Sequence, residues 1–356
     1  MQFKGQSDFK HTSKARIGVL ITNLGTPQAP TKKALKAYLK EFLSDPRVVE
    51  LPKVLWWLIL NGVILNIRPK RSAKAYAGVW TDEGSPLMVH SQNQVKALRE
   101  NLKAVYGDDV VVELAMRYGQ PSINNALDKM QDQGVTKLVV LPLYPQYSAS
   151  TSASTFDAIA KDFMKRRLLP DFRFISHYHD NTHYITAMAN KIQKHWDSHG
   201  KPDKFIFSYH GIPRKYVDKG DPYLVECEIT SKLIADKLDL KKEEFMTCFQ
   251  SRFGAEEWLQ PYLDDTLKAF PQKGVKFVQV VCPGFSADCL ETIEEIGEEN
   301  RDYFLEAGGV KFEYIEALNS DVEHIDMMAN IIQNNIQGWS IKQDIDVTVE
   351  QFKKYS

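Results

Sequence analysis

Short runs of apolar, often β-branched residues alternate with amphipathic helical segments along most of this 356-residue chain. Strands that are each followed by a helix are typical of parallel sheets with helices on their faces. The sequence therefore predicts an α/β fold. The predicted strands are 17–23, 109–116, 137–144, 172–177, 204–209 and 275–282, and the predicted helices are 32–43, 123–133, 153–167, 183–199, 222–238 and 289–307.

Two strand–turn motifs recur within the chain. The segment 21–27 aligns with 207–213, both ending in Gly-x-Pro, and 141–148 resembles 280–286. Two similar α/β halves are therefore expected, either from an old duplication or from chance similarity of such motifs. The motif prolines are 118 residues apart in the first half and 70 in the second, so the first half carries about 48 extra residues.

The most apolar stretch of the chain, 54–67, lies within that extra segment. A spanning helix needs about 20 apolar residues, whereas this stretch has 14, with Asn61 and Gly62 in its middle. We expect an insertion at the mouth of the first sheet that rests on a membrane without crossing it. Since residues 1–16 lack the apolar core of a secretory signal, a cytoplasmic protein, associated peripherally with the inner membrane, is expected.

Composition and missing motifs exclude several classes of protein. The 45 Lys and Arg residues nearly balance 46 Asp and Glu, and without a basic excess we expect no nucleic-acid partner. No pair among the four cysteines has the C-x-x-C spacing of a structural zinc site. The chain also lacks the phosphate-cradling glycine loops of nicotinamide and P-loop enzymes and the G-x-S-x-G elbow.

One histidine stands where ligands bind in parallel sheets, beyond the carboxyl ends of the strands. His210 directly follows the strand 204–209, and its imidazole can accept and release protons near neutral pH. The alternative is a buried structural histidine with one hydrogen bond. His177, His179 and His183 form a looser group, which we interpret as a surface cluster rather than a metal site.

A row of acidic residues follows the last predicted strand. Glu291, Glu295 and Glu298 recur at i, i+4 and i+7, which places them on one face of an α-helix, and Asp288 suits its N-cap. Acidic residues near a helix N-terminus are in part explained by their favourable interaction with the helix dipole. An ordinary solvated face would mix lysine with glutamate, so we interpret this row as a track for a divalent cation or for protons.

Several longer motifs resemble, in the right order, the signatures of the ferrochelatase family. They are Leu24-Gly-Thr-Pro27, Leu141-Pro-Leu-Tyr-Pro-Gln-Tyr-Ser148, Ser208-Tyr-His-Gly-Ile-Pro213 with Gly220-Asp-Pro-Tyr223, Phe249-Gln-Ser-Arg252 with Trp258, and Pro283-Gly-Phe-Ser-Ala-Asp288 with Glu291. The resemblance runs from about residue 16 to 320. It implies insertion of ferrous iron into protoporphyrin IX, giving protohaem and two protons in haem biosynthesis.

The resemblance also implies an architecture and a site. Two Rossmann-like chelatase-type domains, 1–178 and 179–318, are expected, with an apolar lip near 48–72 and a C-terminal helical segment, 319–356, packed back on the first domain. His210 and Glu291 are implied as the catalytic pair. The implied metal-binding residues are His210, Glu291, Glu295 and Asp288, and the implied porphyrin-binding residues are Leu24, Arg117, Tyr118, Tyr147, Ser148 and Trp258.

The chain departs from the family pattern in its cysteines. No cysteine follows Cys289, and Ala149 stands where some members place a ligand cysteine, so we expect no iron–sulfur cluster and no tightly bound cofactor, with Fe²⁺ as a substrate only. A chelatase acting on coproporphyrin or another tetrapyrrole is an alternative, as is a non-catalytic carrier. The apolar stretch favours protoporphyrin, and His210 together with an opposed carboxylate argues against a carrier.

Overall fold

The computed structural model describes residues 3–5, 15–254 and 256–339. It contains two four-stranded parallel sheets flanked by helices, which confirms the predicted α/β class. The first sheet consists of β1 (Arg16–Gly25), β2 (Val110–Tyr118), β3 (Val135–Pro142) and β4 (Asp171–Phe174). The second consists of β5 (Lys204–His210), β6 (Phe245–Gln250), β7 (Phe277–Val281) and β8 (Lys311–Ile315).

Both sheets have the same strand order, β2-β1-β3-β4 in one and β6-β5-β7-β8 in the other. The two similar halves that the repeat predicts are therefore present. The inner strands β1 and β5 are buried on both faces, as expected where helices cover both sides of a parallel sheet. The prediction missed β6 and β8, because both are short edge strands with polar residues between the apolar ones.

Helices cover the faces of both sheets. The helices are α1 (Lys32–Leu43), α2 (Lys53–Ile59), α3 (Leu65–Val79), α4 (Pro86–Tyr106), α5 (Ile123–Asp132), α6 (Ser154–Phe163), α7 (Thr182–His199), α8 (Arg214–Asp218), α9 (Tyr223–Lys237), α10 (Leu263–Ala269), α11 (Arg301–Glu306) and α12 (Val322–Asn335). Each predicted helical segment corresponds to a helix to within a few residues, whereas α2, α3, α4, α8 and α10 were not predicted. Three further segments are π-helical: Leu60–Ile64, Ala149–Ala153 and Glu291–Asn300.

The apolar stretch forms α2, the π-helical turn after it and the start of α3, and we call residues 53–67 the lip. Leu60 and Leu65 of the lip are buried against Tyr38 and Tyr118, near the carboxyl ends of β1 and β2. In α2 itself, by contrast, most apolar side chains are exposed. Among the described residues, no helix combines the length and apolarity needed to cross a bilayer.

One continuous hydrophobic core joins the two halves. It includes Val19 and Ile21 of β1 as well as Phe205 and Phe207 of β5. α12 packs against α4 and α7, and Asn101 of α4 donates a hydrogen bond to Asp326 at 2.9 Å. The expected domain limits stay a prediction, and residues 340–356 of the C-terminal segment lie outside the described residues.

Candidate active site

A cleft of about 430 Å³ opens between the carboxyl ends of the two sheets. Its floor contains the end of β1, the end of β5 and the loop after β7, as expected for ligand sites in open parallel sheets. α1 and α3 form one wall, and the π-helix Glu291–Asn300 forms another. The volume lies in the range of small-molecule sites.

Glycines let the two inner strands end close to their neighbours at the cleft. Gly25 has φ +113°, and a Cβ built there would lie 1.8 Å from the carbonyl oxygen of Tyr118. Gly211 occupies the matching place after β5, where a Cβ would lie 3.0 Å from the carbonyl oxygen of Gln250. Any larger residue would push these strand ends apart, so the Gly-x-Pro repeat marks both as close approaches.

His210 ends β5 and lines the cleft, as the sequence predicts. Its Nδ1 lies 2.7 Å from the carbonyl oxygen of Gly211. Because a carbonyl only accepts, Nδ1 carries the proton and Nε2 keeps a free lone pair. Burial lowers the pKa of His210 below its usual value, although the Gly211 bond and the charge of Glu291 oppose the effect. At neutral pH this imidazole is therefore an uncharged acceptor.

The acidic row lies on the π-helix rather than on an α-helix. Its wider turn, with i→i+5 hydrogen bonds, changes which side chains share a face. Glu291, Glu294 and Glu295 line the cleft, whereas Glu298 is exposed and lies outside it. The expectation that Glu298 shares a face with Glu291 and Glu295 is thus wrong, and the third carboxylate beside them is that of Glu294.

Glu295 is more enclosed than its neighbour Glu294. Burial raises its pKa to about 7, Ser251 opposes this by donating a hydrogen bond, and the charge of Glu291 adds to the rise. Ser251 adopts φ +64°, a left-handed conformation that is uncommon for a serine. Backbone strain of this kind is often found at functional sites.

Asp288 does not line the cleft, and its role as a metal ligand stays a prediction. Its carboxylate is buried and accepts hydrogen bonds from Thr292, Tyr314 and Asn319 at 2.6–2.9 Å. Through these bonds Asp288 holds the start of the π-helix against β8 and the following loop. The sequence could not show this, because Tyr314 and Asn319 are distant in the chain.

Arg117 and Tyr118 also lie outside the cleft lining, contrary to the expectation that they bind porphyrin. Arg117 forms an ion pair with the buried Asp45, and the Tyr118 hydroxyl donates to the same carboxylate at 2.9 Å. Ser154 donates to Asp45 as well, at 2.6 Å. The alternative role of Arg117, a strand-end ion pair, is the one that the structure shows.

Tyr147 and Ser148 are likewise absent from the cleft lining. The backbone N–H of Tyr147 donates to Glu226 at 2.7 Å, and the Ser148 hydroxyl donates to Asp221 at 3.1 Å. Both residues therefore join the loop after β3 to the start of α9. The expectation that they bind porphyrin is not supported by their position.

Leu24 and Trp258, by contrast, do line the cleft, and the ring of Trp258 lies 6.4 Å from that of His210. Leu24 occupies in the first half the place that His210 occupies in the second, one residue before the strand-end glycine. Tyr144 and Trp258 each carry a buried polar atom without a hydrogen-bond partner, the hydroxyl and Nε1. Such atoms are rare and are consistent with a missing ligand.

Sequence reasoning missed Arg68, which lies on α3 and lines the cleft. Its guanidinium stacks on Phe253 at 4.7 Å and forms no ion pair among the described residues. Arg252, the other arginine of the cleft, is paired with Asp264 and Asp265. Burial lowers the pKa of Arg68, so its charge is imperfectly solvated and available to an anionic ligand. Only the fold brings Arg68 opposite His210.

Comparison with known proteins agrees with this geometry. The family model described as ferrochelatase matches residues 16–336. A ferrochelatase of Idiomarina loihiensis is 62% identical over 362 residues, covering 100% of this chain and 99% of that protein. A ferrochelatase of Marinobacter nauticus is 61% identical, covering 99% and 95%, and one of Pseudoalteromonas atlantica is 61% identical, covering 95% and 94%.

The fold also resembles that of a solved structure. SirB from Bacillus subtilis, determined with Fe³⁺, covers 92% of this chain and 100% of its own length, with a TM-score of 0.53. The sequence identity is 11%, so this likeness concerns the fold alone.

Proposed function

This chain belongs to the ferrochelatase family, and from that premise we propose how its cleft performs the chemistry. Its activity is the insertion of ferrous iron into a porphyrin in haem biosynthesis, a lyase reaction. We propose protoporphyrin IX as the porphyrin, so that the products are protohaem and two protons.

The observation that carries the mechanism is the neutral imidazole of His210 in the same cleft as three carboxylates. Two pyrrole N–H protons must leave before the four porphyrin nitrogens can bind Fe²⁺. A neutral Nε2 lone pair can take such a proton or hold the incoming ion, and an imidazolium could do neither. His210 is therefore proposed as the first proton acceptor, with Glu291 as its partner.

Glu295 is proposed as the acceptor of the second proton. Its pKa of about 7 lets it bind and release a proton near neutral pH. Glu291 and Glu294 lie beside it on the π-helix and supply further oxygen ligands for Fe²⁺ on its way to the macrocycle. Glu295 would then pass its proton outward along the same carboxylates.

Arg68 is proposed to bind a propionate of the porphyrin. Its guanidinium lines the cleft without an ion pair, and a carboxylate is the group that it pairs with best. Coproporphyrin carries four propionates and protoporphyrin two. Of the two arginines among the described cleft residues, Arg252 is already neutralised, so the cleft suits the less acidic substrate.

The experiment that tests this proposal compares the two porphyrins under anaerobic conditions. The purified protein is mixed with Fe²⁺ and either porphyrin, and formation of the metalloporphyrin is followed by absorbance. We expect a higher kcat/KM for protoporphyrin IX, and Arg68→Gln should raise its KM more than it lowers kcat. A preference for coproporphyrin would refute the substrate proposal while leaving the family unchanged.

The lip is proposed to rest on the cytoplasmic face of a membrane, from which it draws an apolar porphyrin. Trp57, Leu58 and Ile67 are 62%, 56% and 70% exposed. The exposed Lys53 begins the lip, and the exposed Lys70 and Arg71 follow it. Exposed apolar side chains beside basic residues are typical of helices at an anionic lipid surface. Leu60 is buried, so it attaches the lip to the protein and is not part of the exposed apolar face.

Sedimentation with anionic liposomes tests the lip. Replacing Trp57, Leu58 and Ile67 together with serine should abolish association. Leu168 and Leu169, which are 49% and 54% exposed, offer a matched control, because their replacement by serine should change nothing. Equal sedimentation of both variants would exclude the lip as the contact.

We further propose that the protein works without an iron–sulfur cluster. All four cysteines are buried, and burial raises the thiol pKa of each, to about 12 for Cys248. Thiolate ligands are therefore costly to form at these positions. Acid-labile sulfide in the anaerobically purified protein would refute the proposal.

A further inference from the structure

A second group of metal-ligand side chains lies where the two halves meet. His177 and His179 follow β4 of the first sheet, and Glu226 lies in the first turn of α9 in the second half. One donor atom from each residue lies within 4.8 Å of the other two. We propose that these three residues bind a divalent transition-metal ion that bridges the two halves.

The hydrogen bonding of His179 supports a missing ligand. Its Nδ1 is buried and lies 3.3 Å from Glu226 Oε2, yet it forms no hydrogen bond. The side chain is only 10% exposed, and the nitrogen atom itself is buried. His177 Nδ1 already lies at hydrogen-bond distance from Glu226 Oε1, 2.7 Å, whereas His179 Nδ1 has no hydrogen-bond partner among the described residues, and a metal ion shared by all three residues would satisfy it.

The charge of Glu226 supports a cation as well. Its side chain is 6% exposed, and the ion pairs of the described residues give it only His177 and His179 as partners, with no lysine or arginine. The N–H of Tyr147 and the helix N-terminus stabilise it partly. A buried carboxylate needs a compensating positive charge, and a divalent ion between two neutral imidazoles would supply it.

The donor set indicates the class of ion. Two imidazoles with one carboxylate are typical of zinc and ferrous sites, in which solvent fills the remaining positions. His177 is 49% exposed, so the ion could enter from solvent and keep a water ligand on that side. The sequence interpretation of a surface cluster considered His183 with the two histidines and did not include the buried carboxylate of Glu226.

Another cluster of possible metal ligands consists of His195, His199 and Glu313. Its donor atoms are as close together as those of the His177 cluster, but its charge environment is different. The ammonium of Lys311 lies 2.9 Å from Glu313 and donates to the carbonyl oxygen of His199 at 3.2 Å. That positive charge already neutralises the carboxylate and would repel a cation. This group therefore serves as the matched control.

The test measures zinc binding by the full-length chain with its cleft ligands removed. In a His210→Asn/Glu291→Gln/Glu294→Gln/Glu295→Gln background, stripped with chelator, equilibrium dialysis against Zn²⁺ should give one ion per chain. Glu226→Gln should abolish this ion, whereas His195→Asn/His199→Asn should leave it in place. Because the proposed cleft ligands are already replaced, the number of zinc ions bound does not depend on whether the proposed catalytic mechanism is correct.

Zinc retained in the Glu226→Gln protein, or absent from the parent, would overturn the proposal. Circular dichroism and iron insertion by Glu226→Gln in the native background would show that it folds. If that variant does not fold, His177→Asn replaces it, because His177 is exposed and its loss should cost little stability. Unchanged zinc affinity in His177→Asn would then overturn the proposal.

Discussion

Replacing His210 with asparagine tests the central assignment of the cleft. Asparagine keeps a donor that can reach the carbonyl oxygen of Gly211, which now lies 2.7 Å from Nδ1, but it has no basic nitrogen to replace Nε2. The loss of a general base lowers rates by about 10²–10⁴-fold, or about 3–5 kcal/mol of transition-state stabilisation. The retained hydrogen bond should limit the loss of folding stability to about 1 kcal/mol.

The assay is anaerobic insertion of Fe²⁺ into protoporphyrin IX, followed by the absorbance of the product, with urea unfolding measured in parallel. His324→Asn is the control, because His324 is also buried and its Nδ1 also lies 2.7 Å from a carbonyl oxygen, that of Asn319. We expect both variants to lose a similar, small amount of stability, but only His210→Asn to lose turnover.

Added imidazole should partly restore turnover to His210→Asn, because the vacated space adjoins the open cleft. A structural defect would not respond in this way. Turnover of His210→Asn within about threefold of the unmodified protein would refute its role as proton acceptor, since even a weak general base contributes more.

Three further predictions concern single residues. Because the pKa of Glu295 is about 7, turnover should rise with pH through that value, and Glu295→Gln should flatten the pH profile of kcat; an unchanged profile would remove Glu295 from the proton path. Burial lowers the pKa of His324 in the folded protein to about 4, from about 6.5 in the unfolded chain. Between these two pH values the unfolded chain binds more protons than the folded protein. The free energy of unfolding should therefore fall by about 3 kcal/mol as the pH is lowered through this range. His324→Gln should lose this pH dependence in urea unfolding, and a slope equal to that of the unmodified protein would contradict the assignment. Gly309→Ala should lower the free energy of unfolding by about 1–3 kcal/mol, because its Cβ would lie 2.3 Å from the buried ring of Phe304. Gly78→Ala on α3 is the control: its Cβ would meet no atom within 4 Å, so this substitution should not destabilise the protein.

Local patterns predicted the parts of the structure that depend on local chemistry. Strand and helix segments followed from apolar periodicity, and His210 followed from its place after a strand. The π-helix could not be predicted in this way, because its sequence also fits an α-helical period. Glu298 was therefore placed in the cleft and Glu294 was left out.

The positions of several predicted site residues outside the cleft lining have a different cause, which is pairing between distant parts of the chain. Arg117 is held by Asp45, 72 residues away, and Asp288 by Asn319, 31 residues away. Arg68 reaches the cleft only because α3 packs against the π-helix of the other half. No periodicity in one sequence shows which charged side chains remain unpaired after folding.

The continuous core between the halves limits how a flat, rigid macrocycle can enter. Val19 of β1 and Phe207 of β5 share one packed interior, so a hinge that swung the two sheets apart would expose buried apolar surface. The side chains of α2 are largely exposed, and few of them would lose contacts if that helix moved. Loading and release should therefore leave both sheets in place. Because α2 contributes no residue to the lining of the cleft, its movement would matter only through α3, which carries Arg68 and Tyr76 into the wall.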